Sequence, residues 1–196
     1  MKRGLALFDF DGTITTHDTL FEVIKFFRGS FYFWIGMIVL LPHLALYKLN
    51  LVSDRVVKEK VLNYFFNGVK LEDFQKKCDD FCRSILPSIL RKEAMEKIAW
   101  HKQNNDRILV VSASAENWIA DWCRSMELDL IATRLEVADD KITGRLASAN
   151  CNGLEKVNRI KGYLNLADYA TIYAYGNSSG DKPMLSLAEQ PFYKKF

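Results

Sequence analysis

The sequence has few cysteines and no long run of like charge, and each shortage excludes a class of protein. Its four cysteines are too few and too widely spaced for a disulfide framework or a zinc site. Lysine and arginine occur without a run of five or more, so the net charge of +3 does not indicate a nucleic-acid partner. We therefore expect reduced thiols in or near the core of a cytoplasmic globular protein.

An apolar stretch long enough for a secretory signal is also missing near the N-terminus. After Lys2 and Arg3, the apolar run covers Leu5 to Phe8 and ends at Asp9. A signal peptide needs an apolar region of about 7–15 residues. This pattern predicts that the protein stays in the cytoplasm.

Three segments follow one another along the chain. The predicted strands are 4–8, 107–111, 130–137, 141–146 and 170–175, and the predicted helices are 20–27, 56–66, 74–85, 90–100, 115–126, 153–163 and 182–188. Strands that alternate with helices predict an α/β fold, with a Rossmann-like three-layer core and a parallel sheet. The helical block lies after the first strand, so we expect it to cover the carboxyl edge of the sheet.

Two aspartates, Asp9 and Asp11, follow the first predicted strand and are followed by Gly12 and Thr13, which indicate a turn. Carboxylates this close repel each other unless a cation or a proton lies between them. Mg²⁺ suits such a site because it accepts carboxylate and phosphate oxygens. One carboxylate could then attack phosphorus while the other protonates the leaving oxygen. The pattern indicates phosphoryl transfer, and the alternative is a surface turn with two incidental acids.

Three further polar residues lie where a phosphate or metal site could form. The hydroxyl of Ser112, after the second predicted strand, could hold a phosphate oxygen. Lys156, near a helix start, could stabilise negative charge on a phosphoryl group, and Asp181 could serve a metal site. Each has a plainer alternative. The segment of Ser112 leads into a predicted helix that Ser114 could simply cap. Lys156 could lie on a solvated helix face, and Asp181 could be a charge that complements a helix dipole.

Together, and in this order, these motifs resemble those of the haloacid dehalogenase superfamily of phosphohydrolases. Residues 9–13 resemble its nucleophile motif, and residues 176–181 its acidic metal motif. The helical insertion resembles the cap of the phosphoserine-phosphatase-like branch. The implied division is a catalytic core of residues 1–15 and 106–196 and a helical cap of residues 16–105. Gly144-Arg145 and Cys151-Asn152-Gly153 further resemble a small bacterial subgroup that includes phosphatidylglycerophosphatase-like enzymes.

The resemblance also implies a role for each site residue. Asp9 would attack phosphorus and bind Mg²⁺, while Asp11 would act as general acid and base and lend its backbone carbonyl to the metal. Ser112 and Lys156 would hold the phosphoryl group. The other implied binding residues are Gly12, Thr13 and Ala113 for phosphate, Asn177 and Asp181 for the metal, and Asp18 for a substrate ammonium group. Asp18 is equally suited to cap the helix that follows.

Asn177 departs from the family pattern, which usually has an aspartate at this position as a direct magnesium ligand. An amide oxygen can still coordinate the ion, but it brings no negative charge. We therefore expect weaker magnesium binding than in relatives that carry the acid. The substitution also leaves open a slow or inactive protein.

Residues 29–47 contain no charged side chain and are rich in aromatic and aliphatic ones. As one helix they would be about 28 Å long, close to the hydrocarbon thickness of a bilayer, although Pro42 would kink it. Three interpretations remain: a buried helix or hairpin of the cap, a segment inserted into the membrane interface, and a membrane span.

The resulting hypothesis is a magnesium-dependent phosphomonoester hydrolase that forms an aspartyl-phosphate intermediate. An apolar cap favours a lipid phosphate such as phosphatidylglycerophosphate, with peripheral contact to the inner face of the membrane through residues 29–47. One alternative is a soluble phosphatase of small molecules such as phosphoserine, for which Arg55 or Lys58 could hold the substrate carboxylate. Another is a weakly active or non-catalytic protein that binds a phosphorylated ligand.

Overall fold

A computed structural model describes residues 2–49 and 51–196. The strands in these ranges are β1 (Leu5–Phe8), β2 (Arg107–Ala115), β3 (Asp129–Thr133), β4 (Leu135–Ala138), β5 (Lys141–Leu146), β6 (Ile172–Gly176) and β7 (Gln190–Tyr193). The α-helices are α1 (Thr19–Lys48), α2 (Asp54–Phe66), α3 (Leu71–Ser84), α4 (Lys92–Gln103), α5 (Ala120–Ser125), α6 (Leu154–Tyr163) and α7 (Lys182–Leu185).

Five strands form a parallel sheet in the order β3-β2-β1-β6-β7, with β1 at its centre. Because strand side chains alternate between faces, Leu5 and Leu7 pack in one hydrophobic cluster and Ala6 and Phe8 in another. Helices cover both faces, which explains why β1 is apolar throughout. The predicted α/β fold with a parallel sheet is confirmed.

The sheet brings the predicted motifs to one edge. In the β1 register, Phe8 lies opposite Val110 of β2 and Tyr175 of β6. Parallel strands end on the same side, so the residues after Phe8 and Tyr175 meet at the carboxyl edge. Ligands of open α/β sheets bind at this edge.

Helices α1 to α4 lie between β1 and β2 in the chain, as expected for an insertion. Helix α2 packs against β5, which forms an antiparallel hairpin with β4. Helix α4 packs on the sheet through Ala94, Ile98 and His101. The proposed division into core and cap stays a prediction.

Helix α1 has two halves that differ in burial. Gly29, with φ 82° and ψ 156°, is the non-helical residue between them, while Pro42 lies within the helix. The first half packs in the core. In the second half, the buried residues are Phe33, Gly36 and Leu40. The other apolar residues of this half are mostly exposed, so the interpretation of residues 29–47 as a buried helix is wrong. By length and composition alone, helix α1 would be able to cross a membrane.

Several elements differ from the sequence prediction, among them α1, which extends from Thr19 to Lys48 where a helix over 20–27 was predicted. The predicted strand 130–137 is two strands, because the chain leaves the parallel sheet after β3 and enters the hairpin at β4. The predicted helix 115–126 begins later, because β2 continues to Ala115 and a single 3₁₀ turn precedes α5. The short edge strand β7 was not predicted, since its sequence QPFY lacks alternation and contains proline.

All four cysteines are buried and free, which confirms the expectation of reduced thiols in the core. Burial raises the pKa of the Cys82 and Cys151 thiols to about 11. A thiol is nucleophilic as the thiolate, so these side chains are expected to be inert near neutral pH.

One buried histidine joins α4 to the sheet. His101 Nδ1 lies 2.8 Å from Asp106 Oδ2, and its Nε2 lies 2.9 Å from the Tyr175 hydroxyl oxygen. A neutral imidazole satisfies both partners when Nδ1–H donates to the carboxylate and the tyrosine hydroxyl donates to Nε2. Burial lowers the pKa of His101 despite the nearby Asp106 carboxylate.

Replacing His101 with alanine is expected to lower the free energy of unfolding by about 2–4 kcal/mol, because two buried polar groups lose their partner. In the wild type, the unfolded chain binds an extra proton below about pH 6.5, so the contribution of His101 is lost as the pH falls. Urea unfolding at pH 8 and pH 5.5 measures both effects, with His17→Ala as a solvent-exposed control. A His101→Ala variant as stable as the wild type at pH 8 would contradict this account.

Candidate active site

A cavity of about 380 Å³ lies at the carboxyl edge of the sheet, between the strands and the inserted helices. It is lined by Asp9, Asp11, Gly12, Thr16, His17, Asp18, Leu20, Lys58, Ala113, Ser114, Asn152, Lys156, Asn177, Ser178 and Asp181. The cavity thus brings together residues from all four sequence motifs, which are far apart along the chain.

Asp9 is buried at the end of β1 and has a partner on each carboxylate oxygen. Its Oδ1 accepts a hydrogen bond from Lys156 Nζ at 2.6 Å, and its Oδ2 accepts one from Thr13 Oγ1 at 3.0 Å. Burial raises the pKa of Asp9 to about 6, although the Lys156 ammonium opposes this shift. The carboxylate is therefore held in one orientation at the cavity floor.

Lys156 lies in the first part of α6 and is fully buried, so its interpretation as part of a solvated helix face is wrong. Its Nζ lies 2.6 Å from Asp9 Oδ1 and 2.7 Å from Asp181 Oδ1. Burial disfavours the ammonium, but the two carboxylates outweigh it and raise the pKa of Lys156 above its ordinary value. The side chain is a fixed positive charge between two acids.

Asp181 organises the loop after β6. Its Oδ2 accepts hydrogen bonds from the backbone N–H groups of Asn177 and Ser178, at 3.1 and 2.8 Å, and from the Ser178 hydroxyl at 2.7 Å. Burial alone would raise the pKa of Asp181, but Lys156 and the hydrogen bonds lower it. Both carboxylate oxygens are thus bonded within the protein, and the interpretation of Asp181 as a simple helix charge is incomplete.

Asp11 faces the start of α1 and the end of β2. Its Oδ1 accepts hydrogen bonds from Thr19 N and Oγ1, and its Oδ2 accepts one from Ser114 Oγ at 2.6 Å. Ser112 Oγ lies 3.5 Å from Oδ2 and accepts a hydrogen bond from Ser114 N at 2.9 Å. Ser114 is a strand residue, so its interpretation as a helix N-cap is wrong. The sequence did not identify Thr19 as a partner of Asp11. The only signal was its position directly after Asp18, a candidate helix cap.

The inserted helices contribute Asp18 and Lys58 to the cavity. Asp18 caps α1 by accepting a hydrogen bond from Leu20 N at 2.9 Å, as one sequence interpretation expected, and it also lines the cavity. Lys58 of α2 donates to the Ala113 carbonyl and to Asn150 Oδ1. Burial lowers the pKa of Lys58, although the surrounding acids oppose this. The sequence could name Lys58 but could not place it in the cavity.

Gly12 allows the side chain of Asn177 to lie against the Asp9 turn. A Cβ atom on Gly12 would lie 2.1 Å from Asn177 Nδ2, and the φ of 74° also disfavours any other residue. Ala113 and Ser114 line the same cavity. Of the predicted phosphate-binding residues, Gly12, Ala113 and Lys156 line the cavity with Asp9, whereas Thr13, whose hydroxyl donates to Asp9, and the fully buried Ser112 do not.

The oxygen atoms and charges of the cavity fit a hard divalent cation. With all four of its carboxylates ionised, these and the two ammonium groups give the cavity a formal charge of −2. Within residues 2–49 and 51–196, no three His, Cys, Asp or Glu side chains are arranged to hold a metal by themselves. Mg²⁺ suits this arrangement, because it keeps several waters and binds through one or two carboxylates together with substrate phosphate.

A family model described as haloacid dehalogenase-like hydrolase matches residues 6–186. The protein CicA of Caulobacter vibrioides is 32% identical over 98% of this chain and 86% of that protein. A structure of a protein of unknown function from Bordetella pertussis Tohama I has a TM-score of 0.83 and 24% identity, over 96% of this chain and 88% of that one. A phosphoserine phosphatase with a phospho-aspartyl intermediate analogue has a TM-score of 0.64 and 22% identity, over 96% and 84% of the two chains. These two structural likenesses concern the fold.

Proposed function

The chain belongs to the haloacid dehalogenase-like hydrolases, and on that premise we propose that it is a magnesium-dependent phosphatase with Asp9 as its nucleophile. The observation that carries this proposal is the setting of Asp9 in the cavity. Its carboxylate lies against the Lys156 ammonium, with Asp11 lining the same cavity. A fixed nucleophile, a fixed positive charge and a second acid are what phosphoryl transfer through a covalent intermediate requires.

The two aspartates divide the chemistry. An Asp9 oxygen forms a bond to phosphorus as the ester P–O bond breaks, and protonated Asp11 gives its proton to the leaving oxygen. Water then attacks phosphorus, Asp11 takes a proton from that water, and the Asp9–phosphorus bond breaks. Asp11 has its proton again at the end of the cycle, and inorganic phosphate leaves.

The phosphoryl oxygens are held by groups around Asp9. Lys156 Nζ would provide positive charge, and Ala113, which lines the cavity, would provide a backbone N–H. The Ser112 hydroxyl, proposed for the same role, is fully buried and lies 3.5 Å from Asp11 Oδ2. These donors lie on rigid elements, so they need little rearrangement when charge develops on the phosphoryl group.

Mg²⁺ would be held by the Asp9 carboxylate, the backbone carbonyl of Asp11 and the side-chain oxygen of Asn177. The ion supplies positive charge that offsets the cavity's own charge of −2 and the charge of the phosphate. Asp181 acts indirectly, because its oxygens are engaged by Lys156 and the loop at residues 177–178.

The exposed half of α1 supports a lipid-phosphate substrate such as phosphatidylglycerophosphate. Its exposed side chains include Phe31, Tyr32, Trp34, Ile35, Ile38, Val39 and Leu41. Soluble proteins seldom expose a contiguous apolar surface of this kind unless it binds something. Arg28 and Lys48 lie at either end of this uncharged stretch, so a basic rim can meet anionic headgroups while aromatic side chains enter the interface. The proposed location is the inner face of the membrane.

The same helix connects that surface to the cavity. Asp18 and Leu20, at the start of α1, line the cavity, and Gly29 lies about 15 Å further along at the standard helical rise. A lipid anchored at the exposed half could thus present its headgroup phosphate to Asp9.

A zwitterionic phosphate ester such as phosphoserine is the second candidate substrate. Asp18 and Lys58 line the same cavity, and they could hold an ammonium and a carboxylate group respectively. Arg55, the other basic residue considered, instead bonds to Glu59 and to the Leu146 carbonyl. This observation favours Lys58 alone as the basic partner.

The proposed activity predicts magnesium-dependent phosphate release from p-nitrophenyl phosphate that Asp9→Asn abolishes. A panel with phosphatidylglycerophosphate and phosphoserine distinguishes the two substrates, and the lipid is expected to give the highest kcat/KM. Tight phosphate binding with no turnover on any ester, even at high magnesium, would refute the enzyme and support the non-catalytic alternative.

Asn177→Asp is expected to lower the magnesium concentration for half-maximal activity by about tenfold, because a carboxylate adds charge that an amide lacks. Magnesium titrations of wild type and variant at one substrate concentration measure the change. Ser179→Asp, which adds the same charge on an exposed residue of the same loop, is the matched control. An unchanged midpoint for Asn177→Asp would show that this side chain does not bind the ion.

The membrane contact predicts that the protein sediments with vesicles rich in phosphatidylglycerol. Trp34→Glu and Ile38→Glu should each weaken binding by about tenfold or more, since each removes an apolar side chain from the interface. Leu154→Glu, at an exposed apolar residue of α6, is the control and should bind as the wild type does. Absence of wild-type binding, or equal loss in all three variants, would contradict the proposed surface.

A further inference from the structure

The Asp11 carboxylate is bound by the first turn of α1. Thr19 N donates to Oδ1 at 2.7 Å, and Thr19 Oγ1 donates to the same oxygen at 2.6 Å. Thr19 itself is fully buried, so water does not compete for its hydroxyl. One threonine therefore supplies two short hydrogen bonds to one carboxylate oxygen.

Two further residues complete this contact from the core. Ser114 Oγ donates to Asp11 Oδ2 at 2.6 Å, and Trp118 Nε1–H donates to Thr19 Oγ1 at 3.1 Å. Trp118 is fully buried and Ser114 is 3% exposed. Thr19 Oγ1 also lies 2.9 Å from Ser114 Oγ, and each of these two hydroxyls is within hydrogen-bond distance of an Asp11 oxygen. Both carboxylate oxygens of Asp11 are thus fixed by buried donors.

We propose that Thr19, Ser114 and Trp118 are positioning residues, which fix the Asp11 carboxylate for proton transfer to the leaving group and from water. This inference rests on the proposed phosphatase activity. None of the three needs to contact the substrate, because each acts through Asp11. Thr19 belongs to the inserted helices, whereas Ser114 lies in β2 and Trp118 in the 3₁₀ turn that follows β2. The network therefore also ties the insertion to the core at Asp11.

The physical reason for such a network is the sensitivity of proton transfer to geometry. An aspartate side chain has two rotatable bonds, and an error of about 1 Å in a reacting group can cost about a hundredfold in rate. Hydrogen bonds among buried groups hold orientation strongly, because the local dielectric constant is low. Removing the Thr19 hydroxyl would leave the backbone N–H of Thr19 as the donor to Asp11 Oδ1, and it would leave the Trp118 N–H without its acceptor.

The test compares esters that differ in their need for a proton donor. With p-nitrophenyl phosphate the leaving group departs without a proton, whereas the alkoxide of glycerol 1-phosphate requires one. In Thr19→Val, kcat/KM should fall about tenfold or more for the glycerol ester and less than about threefold for the nitrophenyl ester. Its kcat should fall for both esters where hydrolysis of the intermediate limits turnover, because water activation also uses Asp11.

Thr19→Ser, which keeps the hydroxyl, should restore most of the glycerol-ester activity. Trp118→Phe removes the Nε1–H and keeps a buried ring, so it should show a weaker form of the same difference, and it carries the test if Thr19→Val does not fold. Thr143→Val, in the β4–β5 hairpin, controls for the loss of a threonine hydroxyl bond elsewhere.

Equal loss of kcat/KM on both esters, or no loss on either, would overturn the positioning role while wild-type activity still supports the phosphatase. An inactive wild type would instead refute the proposed function itself.

Discussion

The buried contact of Lys156 with Asp9 and Asp181 is the interaction on which the rest of the site depends. An isolated ammonium or carboxylate is costly to bury, so these three groups are stable in the interior because they are paired and hydrogen-bonded. Lys156 fixes the Asp9 carboxylate from one side, and Asp181 fixes Lys156 from the other. The loop after β6 follows from the same contact, since the second oxygen of Asp181 binds its backbone.

The excess of negative charge in the cavity explains why the proposed chemistry needs a cation. Lys156 is paired with both Asp9 and Asp181, and Lys58 of α2 is bonded to the Ala113 carbonyl and to Asn150 Oδ1. A phosphate dianion approaching Asp9 would therefore meet net repulsion. In the proposed function, a divalent ion beside Asp9 and Asn177 would remove that repulsion, and the amide at residue 177 would set how strongly the ion is bound. Helix α1 contributes Leu20 to the cavity and also carries the exposed apolar half, so the catalytic and surface-binding proposals share one element.

The sequence predicted the parts of the structure that depend on local pattern. The apolar run Leu5 to Phe8 and the turn after it indicated a strand that ends at the carboxyl edge of a sheet, and the α/β fold was predicted from strands alternating with helices. Residues such as Lys58 and Thr19 could not be placed, because their function comes from tertiary contacts with residues up to about a hundred positions away. Lys156 has the composition of a surface helix residue, and only the fold buries it against Asp9. The pattern of residues 29–47 was ambiguous, because an apolar sequence does not show whether its helix is buried or exposed.

The central claim is that the phosphoryl group is bonded covalently to Asp9 before water releases it as phosphate. Trapping this intermediate tests the claim most directly. The wild-type protein would be mixed with magnesium and p-nitrophenyl phosphate, quenched in acid within the first turnovers, digested, and analysed by mass spectrometry. The account predicts a phosphoryl group on the Asp9 side chain, and none in Asp9→Asn. Rapid turnover with no phosphorylated aspartate at any quench time, or with the phosphoryl group on another residue, would contradict it.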